Sequence, residues 1–183
     1  MATLTIDGRQ GEGGGQILRT SLSLSALTGR PFRLNNIRAN RSKPGLRPQH
    51  LTAVRAAAAI CNADLRGADL NSTSLEFHPQ SRPRGGEYYF DVAAVAKGGS
   101  AGSATLLFQA ILWPLLFADR SSQLTLRGGT HVPFSPPFHY LAEVVQPVFA
   151  RLGAHFLLTL REWGWYPVGG GSVTAVIQPI AHL

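Results

Sequence analysis

The sequence predicts an α+β, α/β-like fold made of two tandem copies of a βαβαββ module, residues 1–84 and 85–183. Three observations predict it. Alternating apolar segments and helically spaced ones follow one another in a fixed order, and that order is read twice along the chain. Each pass puts a glycine-rich turn before its first helix and a polar or proline-rich loop before its second. The segment 104–117 is apolar nearly all round, which requires a helix buried on several sides.

In the first pass, residues 3–6 alternate as a short strand and 11–15 form a glycine turn. Residues 16–27 have helical spacing, with Leu18, Leu22 and Ala26 on one face, Ile17, Leu24 and Leu27 beside it, and Gly29 as terminator. A strand over 32–37 precedes a second helix over 48–62, whose Leu51, Val54, Ala58 and Cys61 share one buried face. Residues 74–78 supply a further strand, Leu75 and Phe77 on one side of it. The second pass opens with a strand over 87–92, a glycine turn over 98–103 and the apolar helix 104–117. A strand over 123–126 then leads through Gly128-Gly129-Thr130 and a proline-rich loop to a helix over 138–152, closed by Gly153. Strands over 156–160 and 172–177 complete it.

With 183 residues, 44% of them hydrophobic, the chain is long enough to bury a core. Its net charge of +7 is concentrated: residues 1–60 hold nine Lys and Arg against two acids, Asp7 and Glu12, and the bases and acids of the remainder cancel. A surplus confined to one third of the chain is the footprint of a polyanionic ligand. Fifteen of the seventeen bases are arginine, whose fork suits bidentate phosphate contacts. The single cysteine, Cys61, excludes an internal disulfide framework and a cysteine-rich zinc site. No basic leader opens the sequence, and the longest apolar run, 104–118, is broken by Gln109 and Pro114 and is too short to span a bilayer. A soluble cytoplasmic protein that makes no membrane contact is expected.

Gly11-Glu12-Gly13-Gly14-Gly15-Gln16 stands between a strand and a helix, where backbone amides converge and the helix N-terminus favours an anion. Neither the Gly-Lys-Ser/Thr ending of a P-loop nor the acid of a dinucleotide fold follows. Glu12 repels phosphate unless it holds a divalent cation that the phosphates also touch; otherwise it caps the helix. The loop 38–47 carries Arg38, Arg41, Lys43 and Arg47 without an acid, a set of like charges that a polyanion or wide solvation must relieve. Gln109 is the only strongly polar side chain between 104 and 117, so it either satisfies a backbone group or reaches into a site. The six histidines show no metal-ligand spacing and no triad. Trp163, Trp165 and Tyr166 precede a glycine bend, placed to stack a base or simply to pack.

Five ordered blocks together resemble the RNA 3′-terminal phosphate cyclases: residues 7–19, the loop 38–45, Gln49-His50-Leu51-Thr52-Ala53-Val54, Gly128-Gly129-Thr130 with Pro136-Pro137, and Tyr166-Pro167-Val168-Gly169-Gly170-Gly171. The resemblance implies an enzyme that uses ATP and Mg²⁺ or Mn²⁺ to convert an RNA 3′-phosphate into a 2′,3′-cyclic phosphate through an adenylylated histidine. It implies that Arg19, Arg38, Arg41 and Lys43, with Gln49, bind the RNA phosphate. It further implies that Gln109 contacts the nucleotide and that Glu12 is the metal ligand. Family members are considerably longer, and the nucleophilic histidine lies in a later module, so none is expected among the six here and this chain alone is expected to be inactive. A missing module would leave apolar surface open to self-association. Two other functions compete: a non-catalytic cyclase-like RNA-binding protein of ribosome assembly, and a small-molecule transferase on similar modules, such as the enolpyruvyl transferases.

Overall fold

The computed structural model describes residues 2–95 and 100–182. Glycines 98 and 99 of the second predicted turn lie outside the described residues.

The first half runs β1 (Leu4–Asp7), α1 (Gln16–Thr28), β2 (Phe32–Asn35), α2 (Pro48–Cys61), β3 (Asp64–Arg66) and β4 (Leu75–His78). The second runs β5 (Glu87–Asp91), a short 3₁₀ turn (Val92–Val95), α3 (Ala104–Leu116), β6 (Ser122–Gly128), α4 (138–151), β7 (Phe156–Glu162) and β8 (Gly171–Ile177). The two four-stranded sheets have the same topology. Their orders are β1-β2-β4-β3 and β5-β6-β8-β7, each with one parallel pair made by a helical crossover followed by antiparallel neighbours. Strand for strand, the second sheet repeats the first, as the twice-read pattern predicts.

Alternation decides the faces. In β2 and β4, Phe32, Leu34, Leu75 and Phe77 point inward, and Phe32 stacks on its register partner Phe77 at 5.6 Å. Arg33 and Glu76, paired on the outer face, form a cross-strand ion pair. The two sheets are joined through helices: α1, α2 and α3 pack on one another, α1 lies on β2 and β4, and α3 lies on β6 and β8. That shared layer explains the all-round apolarity of α3, in which ten of thirteen residues are buried. Cys61 is buried among the same side chains and its thiol is pushed up to about 12 by burial.

Two elements depart from the sequence reading. β3 carries no apolar run, since only Leu65 faces inward between Asp64 and Arg66; its pairing with β4 creates the strand. The expected regular helix over 138–152 contains a π-helical turn at Leu141–Val145, with the Gln146 N–H bonded to the Leu141 carbonyl. Pro147 sits at the next position, lacks an N–H and crowds the carbonyl four residues back, so the ladder slips by one.

Candidate anion-binding site

The glycine turn after β1 is anchored from below. Asp7 accepts from the Arg9 backbone and guanidinium and from Asn36 Nδ2, all at 2.7–3.2 Å, which ties the turn to the end of β2. Those donors, Arg9 first, hold the Asp7 carboxyl well below the usual carboxylate range. Gly11 and Gly13 have φ of +59° and +60°, a region that side-chain-bearing residues rarely adopt. The other glycines are required by what lies against them. A methyl group on Gly13 would strike the Asn40 side chain, one on Gly14 would lie 3.0 Å from Arg41 Nη2, and one on Gly15 would run into His50 Nε2 and come within 3.1 Å of Arg19 Nη1. The glycines therefore let the basic loop and the start of α2 close onto the N-terminus of α1.

At this junction Arg41 lies against Gly14 and Arg19 against Gly15, and Arg19, Arg38 and Arg47 surround His50. Arg19 Nη2 donates to Gln16 Oε1 at 2.8 Å, but its Nε is buried without a partner among the described residues. Burial lowers the affinity of this guanidinium for its proton. His50 is 4% exposed; burial first, then Arg38, Arg19 and Arg47, push its pKa down to about 3, so the ring is neutral. Its Nδ1 is also unpartnered among the described residues. A buried guanidinium N–H without an acceptor, beside several cations, defines a place where an anion gains more than it does in water.

The remaining predicted residues have distinct settings. Arg38 spends Nη1 on the carbonyls of Lys43 and Gly45, at 2.6 and 3.1 Å, and so braces its own loop as well as facing His50. Lys43 lies on the exposed rim of that loop, and Arg47 is tied to Asn71 Oδ1 at 2.6 Å. Glu12 is exposed and forms a close ion pair with Arg41. Among the described residues no three His, Cys, Asp or Glu are grouped to hold a metal. Glu12 is the one acidic side chain of the glycine turn, and Arg41 engages its carboxylate. Gln49 Oε1 accepts the N–H of Ser103, the N-cap of α3.

Gln109 is not the buried amide that an all-apolar helix suggests. It is exposed, because α1 leaves a cleft of about 350 Å³ against α3, lined by Gln109, Trp113, Gln16, Arg19 and neighbouring α1 residues. Arg19 thus borders both the glycine turn and the cleft that Gln109 enters. A second cleft, about 460 Å³, runs from Gln49 and Ser103 to Val132, Phe134 and Tyr166.

Sequence reasoning named His50 only at a helix start and within one block of the family resemblance. Its role as the neutral centre of the arginine cluster depends on Gly15 lying against it, a contact between segments 35 residues apart. Among the described residues no helix is long and apolar enough to cross a membrane.

A family model described as RNA 3′-terminal phosphate cyclase matches residues 10–183. The chain is 58% identical over 180 residues to a protein named RNA 3′-terminal phosphate cyclase from Gloeothece citriformis, covering 98% of this chain and 51% of that one. Proteins of the same name from a Nostoc species and from Methylococcus capsulatus are each 55% identical, over 96% and 97% of this chain and 50% and 49% of theirs. The chain therefore spans about half the length of the curated relatives it matches. An EPSP synthase structure from Acinetobacter baumannii aligns with 97% of this chain and 48% of its own at 9% identity and a TM-score of 0.42, a level from which nothing follows.

Proposed function

Because the chain belongs to the RNA 3′-terminal phosphate cyclase family, we propose that it supplies the part of such an enzyme that grips the 3′-phosphate of an RNA for ATP-dependent conversion to the 2′,3′-cyclic phosphate. One observation carries this reading: the buried, unpartnered Nε of Arg19 beside neutral His50, at a glycine turn too tight for side chains. Arg19, Arg38 and Arg41 bind the terminal phosphate, their positive charge also suiting the negative charge that develops during transfer. Lys43 reaches the RNA backbone from the loop rim, and Gln49 meets the phosphate from the start of α2. Gln109 contacts the nucleotide in the cleft it shares with Arg19. Glu12 holds Mg²⁺ or Mn²⁺, an ion that would neutralise nucleotide phosphates when bound.

Four of the six histidines are enclosed or already engaged, which supports a chain that is inactive alone. His50 is buried and neutral, His78 lies 3.6 Å from Glu76 on the outer face of the first sheet, and His131 and His139 are engaged with each other in the second module. That placement also favours the second reading, a non-catalytic cyclase-like RNA binder, which is indifferent to the terminal phosphate. The two are separated by comparing oligoribonucleotides ending in 3′-phosphate and in 3′-hydroxyl. We expect preference for the phosphate, lost in Arg41→Ala; equal loss on both ends supports the general RNA binder. Incubation with ATP labelled on its α-phosphate is expected to leave no label on the protein, and retained label would reassign the nucleophile to one of these six histidines.

A further inference from the structure

The second module carries an exposed cluster of rings outside the arginine site. Trp163 and Trp165 flank Gly164 just beyond β7, two residues apart and therefore on one side of an extended segment. Their indole planes lie within 2° of parallel with centroids 5.6 Å apart. His131 backs both, at 4.7 and 5.0 Å, and His139 lies 5.4 Å from Trp163. Tryptophan is ordinarily well covered, yet Trp163 is 53% and Trp165 55% exposed.

This arrangement is held from beneath. Thr130 is fully buried and its Oγ1 accepts the Gly164 N–H at 3.0 Å, while the Gly164 carbonyl accepts the N–H groups of Thr130 and His131 at 2.9 and 3.0 Å. Trp165 is bridged through its backbone to His131 on one side and Gly169 on the other. The Thr130 hydroxyl lies 2.9 Å from His131 Nδ1, and His131 Nε2 lies 2.9 Å from His139 Nδ1. Where the hydroxyl donates to Nδ1, His131 donates from Nε2 to His139 Nδ1, so that Thr130 and the two rings form one hydrogen-bonded chain. Burial, then the neighbouring His139, lowers the pKa of His131 in keeping with this. Rings fixed in advance lose little freedom when something stacks on them.

The backbone segments that carry the cluster also border a cleft reaching the start of α2. Val132 and Tyr166, the chain neighbours of His131 and Trp165, line the cleft whose other wall includes Gln49, the neighbour of His50. The segments that carry His131 and Trp165 therefore also border a cleft that begins one residue from His50. We propose that Trp163 and Trp165, backed by His131 and His139, form a stacking platform for unpaired bases of the RNA upstream of its 3′-phosphate. The platform presupposes the RNA end proposed above. Every base has a π face, so it holds RNA with little regard to sequence, and single-stranded ends with unstacked bases are its preferred form.

The test is fluorescence anisotropy with 5′-labelled, 3′-phosphorylated oligoribonucleotides, one intact and one with abasic sites upstream of the last nucleotide, on the full chain. The parent protein is expected to bind the intact strand about tenfold more tightly than the abasic one. That advantage should disappear in the Trp163→Ala, Trp165→Ala double variant and return when both positions are Phe. Its size should not change with salt, whereas the arginine contribution falls as salt rises. Equal affinity of the parent for intact and abasic strands overturns the platform, and a preference for 3′-phosphate over 3′-hydroxyl in the same titrations leaves the terminal-phosphate function standing. Base dependence without that preference keeps the platform and removes the terminal-phosphate function. No binding of any strand by the folded parent overturns both.

Discussion

His50 illustrates how little of a residue's role is written at its own position. In sequence it opens a helix after Pro48 and Gln49; in the fold it is sealed against Gly15 and ringed by Arg19, Arg38 and Arg47. An unfolded histidine titrates near 6.5, whereas this one titrates at about 3. Between those values the unfolded chain binds a proton that the folded chain refuses. The stability from keeping the ring neutral is therefore complete above the unfolded value and is lost as pH falls toward the folded one, at up to about 1.4 kcal/mol per pH unit. Urea midpoints measured from about pH 7 to about pH 5 should fall for the parent protein, and His50→Gln should remove that share of the slope. Identical slopes would show that the ring is not buried as described. The arginines were legible in advance because a run of like charge without acids demands an explanation. The histidine was not, because its environment is assembled from α1, the basic loop and α2 together.

At the level of elements, the turn into α1 separates two reasons for glycine. Gly11 has a left-handed backbone and nothing within 4 Å of a would-be methyl, so Gly11→Ala costs only backbone strain, about 1–2 kcal/mol. Gly15 has an ordinary φ of −80°, but its methyl would enter the His50 ring. Gly15→Ala should cost about 1–3 kcal/mol in overpacking and also move His50 out of the arginine cluster. Both variants should therefore be destabilised in urea, but only Gly15→Ala should weaken binding of a 3′-phosphorylated strand; equal RNA affinity would detach His50 from the site. Most elements were readable from period and punctuation. α1 stops at Gly29 in the left-handed conformation as the pattern predicts, and α3 is buried as its composition requires. β3 was not readable because its partner β4 makes it a strand, and the π turn of α4 was not because it is a local answer to Pro147.

For the whole molecule, the repeated strand order was legible because pattern survives where identity between the halves is slight. What the sequence did not disclose is how the second half is left at its surface. On α4 and its C-cap, Tyr140, Val144, Val148 and Leu152 fall at every fourth position and are each about half exposed, an apolar stripe left open at the surface. Sedimentation velocity is expected to show association that grows with protein concentration and weakens in Val148→Glu; a concentration-independent monomer would leave the stripe without a role in self-association. Among the described residues strand pairing stays within each sheet, and one polar tie between the halves is the Gln49 side chain bonded to Ser103. An amide in solution can present either its oxygen or its nitrogen to a visitor. Here the oxygen is already committed to the Ser103 N–H, so the end that remains can only give hydrogens and never receive them. The second half of the chain thereby sets the orientation of a group that the first half carries, and Gln49 keeps both amide hydrogens for an acceptor such as a phosphate oxygen while one of its oxygen's two lone pairs is already taken.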